Sequence, residues 1–115
     1  MPCVHQFGII DNFDKQKIYK DFEPEKYGCV TVSDDIVSLW CYHTETMLCY
    51  TGDTTKISRG LAMCGVTIIP PESLTKFVQI VETKTPRLHA AEVDELIKAI
   101  DKAIRQDKYM IHFGV

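Results

Sequence analysis

The 115-residue sequence lacks any apolar run approaching the roughly 20 residues that a membrane-spanning helix needs, so no such span is expected. It also lacks a basic run. Thirteen Lys and Arg are scattered from Lys15 to Lys108 against sixteen Asp and Glu, for a net charge of -3. Tracking a nucleic-acid backbone requires clustered cations that displace phosphate counterions, and that class is therefore disfavoured. Tyr27, Trp40, Tyr42 and Tyr50 could stack on bases, but no lysine or arginine falls between Tyr27 and Tyr50, so the electrostatic half of a single-strand-binding signal is missing.

Targeting and processing signals are absent too. The opening MPCVHQFGII carries no cation ahead of its apolar part and no small-residue cleavage site behind it, unlike a secretory leader. Pro2 stands where myristoylation needs glycine, and there is no terminal CaaX box. Internal repeats and low-complexity tracts are missing. So is any Cys-x-x-Cys spacing, although the chain has five cysteines. An odd number of thiols without an export signal is expected of a reducing cytoplasm rather than of a disulfide framework.

What is present describes an ordinary globular chain. Hydrophobic residues make up 45% and charged residues 25%, far from the composition of disorder. The length suits one domain, residues 1–115, with enough core to fold without a metal or disulfide staple.

β-Branched and aromatic residues are dense up to about Ile69, and helical periodicity follows, which implies an α+β fold. VHQFGII reads as a first strand, and YGCVTV, IVSLWCYH, MLCYT and VTII as further strands. TTKISRGLAMCG reads as a short helix capped by Asp53, Thr54 or Thr55. Pro70 and Pro71 open a helix whose Leu74, Phe77, Val78 and Val81 share one face. Val93, Leu96, Ile97, Ile100 and Ile104 form the apolar stripe of a second helix, after which YMIHFGV is a final strand that would lie within the sheet if Tyr109, Ile111 and Phe113 face the helices. The expected architecture is an antiparallel or mixed sheet packed against these two C-terminal helices.

Chemistry-bearing residues concentrate in LWCYHTETMLCYTGD, residues 39–53, where two strands joined at Thr44–Thr46 would set Cys41 opposite Cys49. A four-residue loop would pair Cys49 with Trp40 instead, so the register stays open. Cys41, His43 and Cys49 are the candidate metal ligands, with the Cys3-x-His5 spacing as a source of a further one. Against this, cysteines in a sheet behave as small hydrophobes. No cysteine stands before a recognisable helix start, which weakens a nucleophile reading, and no catalytic residue is assigned. The run Gly52–Gly60 has hydroxyls, Lys56 and Arg59 but not the P-loop pattern. His89 and His112 have no sequence neighbour that suggests a shared task and are expected to be structural.

On the hairpin reading both faces are apolar. Trp40, Tyr42 and Tyr50 share one of them and are the candidate interaction surface, to be covered by residues 12–25 or by another subunit. The expected function is a non-enzymatic, regulatory or inhibitor-like domain that binds a protein partner, with a homodimer through the sheet as one form. No cofactor, nucleic acid or membrane is expected. The competing expectation is metal-binding or thiol chemistry at Cys41, His43 and Cys49, or a small-ligand pocket.

Overall fold

In the computed structural model, which describes residues 3–52, 54–62 and 64–114, the strands are β1 (Val4–Ile10), β2 (Val30–Ser33), β3 (Leu48–Thr51), β4 (Ile57–Arg59), β5 (Val66–Ile69) and β6 (Tyr109–Phe113). They form one antiparallel sheet in the order β2-β1-β6-β5-β3-β4. The helices are α1 (Asp34–Val37), α2 (Cys41–Thr44), α3 (Pro71–Lys84) and α4 (Asp94–Gln106), the last preceded by a 3-10 helix at Arg87–Val93. This is the expected α+β arrangement, with the sheet wholly antiparallel. Among the described residues no helix is long and apolar enough to cross a membrane.

One face of the sheet carries Phe7, Met110, Ile69 and Cys49, and α3 and α4 pack on it through Leu74, Phe77, Leu96 and Ile100. Phe7, Trp40 and Phe77 close a triangle at its centre, with ring centroids 5.7 to 6.2 Å apart. Such tilted and edge-on pairs add to the area they bury. Trp40 is fully buried, and its indole N–H donates to Thr85 Oγ1 at 3.0 Å, which satisfies the one polar atom that its burial would strand.

The opposite face carries Ile10, Ile68, Ile111, Val66 and Phe113. Its cover is the segment 13–27, which ends in a 3-10 turn at Pro24–Tyr27: Phe13 stacks between Tyr19 and Tyr109, while Phe22 and Tyr27 lean on Phe113. Residues 12–25 were one of two covers expected from the sequence, and this segment fills that place on the central strands. The strap comes very close to β1 at Gly8, where an added Cβ would lie 2.6 Å from Tyr27 Cβ and 2.8 Å from Cys29 Sγ.

Two expectations are overturned, and the condition set for the final strand is not met. IVSLWCYH is not a strand: residues 34–44 form α1, a turn and α2. Ile36, Val37, Trp40 and Thr44 are buried while Asp35, Ser38, Leu39 and Tyr42 are exposed, a helical period that wins over β-propensity because it seats Trp40 against Phe7. TTKISRGLAMCG is not a helix. It lacks an apolar helical face, and Ile57–Arg59 pairs with β3 instead; the proposed cap Asp53 lies outside the described residues. Finally, Met110 and His112 face the helices, whereas Tyr109, Ile111 and Phe113 face the strap. Both parities of that strand are largely apolar, so its orientation is set by register with β1, Phe7 opposite His112 and Ile9 opposite Met110.

Gly8→Ala is expected to destabilise the fold by about 1–3 kcal/mol, because the new methyl must push back the strap or bend the strand. Urea unfolding should show a lower midpoint with an unchanged slope. An unchanged midpoint would mean that the strap yields there without cost.

Candidate functional site

Helical rather than extended backbone at residues 41–44 disperses the cysteine and histidine cluster. Side chains two apart share a face on a strand but diverge by roughly 200° on a helix, so Cys41 and His43 cannot converge on one ion with Cys49. His43 lies half-buried with its ring edge-on to Tyr42, and Cys49 is buried in the sheet core. Among the described residues no three His, Cys, Asp or Glu side chains come together as a metal site. The interaction candidates are dispersed by the same rotation: Trp40 is in the core, Tyr42 is 79% exposed, and Tyr50 is half-buried on the strap side of the sheet.

The thiols are not set up for nucleophilic work. Burial pushes Cys49 up to about 11. Cys41 is raised by burial first and then by the carboxylates of Asp34 and Glu45, and its thiol donates to the Val37 carbonyl at 3.5 Å. Cys29, beneath the strap, is also raised to about 11, mainly by burial. None of the five cysteines is disulfide-bonded, and only Cys3 and Cys64 are exposed.

A cluster with chemistry of its own lies elsewhere. His5 on β1 and His112 on β6 are diagonal neighbours, since His112 stands opposite Phe7, and both are fully buried. Asp34 begins α1, and its backbone N–H donates to the Cys3 carbonyl at 2.9 Å, which continues the β1–β2 ladder and brings its carboxylate back over His5. His5 Nε2 lies 2.7 Å from Asp34 Oδ1, and His5 Nδ1 lies 2.7 Å from His112 Nε2. A carboxylate oxygen only accepts, which puts a proton on His5 Nε2. With both rings neutral, His112 Nε2–H then donates to His5 Nδ1, and His112 Nδ1 is left with a bare lone pair. That nitrogen is buried and has no hydrogen-bond partner. Burial, and next repulsion from the His5 ring whenever that ring carries a proton charge, lower the His112 pKa to about 3.

The chain thus runs from a carboxylate that is 31% exposed to a nitrogen in the dry core. Neither His5 nor His112 lines the clefts of about 290 and 300 Å3 on the surface. His112, expected from the sequence to be structural, is only half satisfied: one ring nitrogen is bonded to His5 and the other has no partner. Its neighbours held the warning, because a histidine between apolar residues on a central strand must find a partner in the core.

The surface feature that stands out is on the strap side, where the cover ends. The cleft of about 300 Å3 there is lined by Ile18, Tyr19, Lys20, Gly52, Lys56 and Val66. Ile18 is 54% exposed, Phe22 62% and Ile57 66%. Ile57 stands opposite Tyr50, which stands opposite Ile68, so it extends the apolar cross-strand row out to the sheet edge. No family model, curated protein or solved structure matches this chain.

A coloured disulfide reagent at pH 8 is expected to modify Cys3 and Cys64 rapidly and Cys49 only on unfolding. Cys49→Ser should leave the fast phase unchanged. Modification of Cys41 or Cys49 as fast as that of Cys3 would restore the thiol-nucleophile reading.

Proposed function

We propose that this chain is a non-enzymatic protein-binding domain of a reducing compartment, and that it holds its partner on the strap side of the sheet around Ile18, Phe22 and Ile57. The observation that carries the reading is the exposure of these three large apolar side chains on the strap side of the sheet, where Ile18 lines the groove. Isolated exposed hydrophobics are ordinary, but several gathered on one face mark a contact surface. Phe22 leans on Phe113, Ile18 lies over Gly52 at the end of β3, and Ile57 continues the row through Tyr50, so all three lie on the strap side of the sheet.

Two further features support it. Lys20 and Lys56 line the groove, which suits a partner bearing carboxylates beside its apolar side chains. The three residues of β4 form the end of the sheet, and an outer strand offers backbone groups to a second chain. Two lysines fall short of the basic stripe that nucleic acid requires. Binding and holding a partner in this way is regulatory or inhibitory action and needs no chemistry from the chain itself.

A photo-crosslinking amino acid at position 57 is expected to give one discrete adduct in native extract, reduced severalfold by Ile18→Asp. The same group at position 79, on the exposed side of α3, should give none. Equal adduct patterns from both positions would defeat the proposal, and an adduct of twice the chain mass would assign the face to a homodimer.

A further inference from the structure

Partner docking makes no use of the Asp34, His5 and His112 chain, yet its hydrogen-bond arithmetic has a consequence. In the neutral state each contact has one donor and one acceptor, and the spare lone pair sits on His112 Nδ1. One added proton upsets this by either route. Placed on His112 Nδ1, it creates a charged N–H without an acceptor, on a ring stacked 4.8 Å from that of Phe7. Passed along the chain, it makes His5 a donor at both nitrogens, so His112 must accept at Nε2 and carry its own hydrogen on the partnerless Nδ1. Both routes strand a buried donor unless water enters.

Apart from the Asp34 carboxylate at its exposed end, the surrounding elements offer no alternative site for the proton. β2 presents Val32 opposite His5, and β5 presents Thr67 opposite His112, its hydroxyl oxygen accepting from the Ala62 N–H at 3.0 Å. α3 and α4 present Phe77, Leu96 and Ile100 to this face. α1 supplies Asp34, and α2 supplies the Cys41 thiol, which feels the charge of Asp34. The cover nearest the array is the α1–α2 segment, because α1 packs on β1 and β2 and Trp40 follows it onto Phe7 at 6.2 Å.

We propose that the Asp34, His5 and His112 chain is an acid-operated latch, in which proton uptake by the histidine pair opens the α1–α2 segment and unseats Trp40 from the core. The sign follows from linkage. His112 is held at about 3 in the closed state, against roughly 6.5 for an exposed histidine. Above roughly 6.5 the closed state keeps its full advantage; as pH falls from there towards about 3, the open state binds one more proton and gains about tenfold per pH unit.

The test follows Trp40 emission, the only tryptophan signal in the chain, together with far-UV circular dichroism of the full chain from pH 7.5 to 4. The wild type is expected to shift to longer wavelength as pH falls, while the dichroism of the sheet and the long helices is largely retained. His112→Gln keeps an N–H within reach of His5 Nδ1 but does not titrate, and should lose about tenfold per pH unit of that response. Superimposable wild-type and His112→Gln profiles would overturn the proposal. Should the variant not fold, nitrogen-15 spectra of the wild-type histidine rings decide. A neutral Nε2–H tautomer at His112 until Trp40 moves supports the latch, and titration of His112 near 6.5 with Trp40 undisturbed overturns it.

Discussion

The two central strands, β5 and β6, are buried on both faces, and the rest of the molecule answers to that constraint. All four residues of β5 are buried, as are four of the five in β6. A sheet of this kind cannot leave one side to water. The helices cover one side through the Phe7, Trp40 and Phe77 triangle, and the strap covers the other with Phe13, Tyr19 and Tyr27. The groove beside Ile18 and Ile57 is where the second cover ends before the sheet does.

The buried polar array has a different place in this economy of burial. Hydrophobic contact is tolerant of small shifts, whereas the two 2.7 Å contacts of His5 are made only when β1, β6 and the start of α1 stand in one register. A two-residue slip of β6 would put Met110 or Gly114 where His112 now stands and leave His5 Nδ1 without its partner. The array thus favours one arrangement of strands that apolar alternation alone would leave ambiguous, at the cost of one unsatisfied nitrogen.

Much of the fold was legible in the sequence. β1, β5, α3 and α4 followed from alternation, short apolar runs and helical stripes, whereas the two apolar faces expected of a hairpin at residues 36–51 belong instead to the central strands β5 and β6. Residues 34–44 were misread because Ile36, Val37, Trp40 and Tyr42 favour strands individually, while their burial follows the helical spacing that runs from Ile36 to Thr44. The interaction candidates lost Trp40 to the core for the same reason. The histidine array was out of reach, since its two rings are brought together from residues 107 apart by strand order alone.

The position of β6 in that order bears on how the molecule comes to be made. It is the last strand in the sequence, and it joins β1, with its partner β2, to β5, with its partners β3 and β4. During synthesis the earlier strands must therefore wait as two separate half-sheets, each with an apolar edge, until residues 109–113 clear the ribosome. Such late, long-range closure is slow and leaves sticky intermediates exposed. Loss of residues 109–113 would divide the sheet rather than trim it.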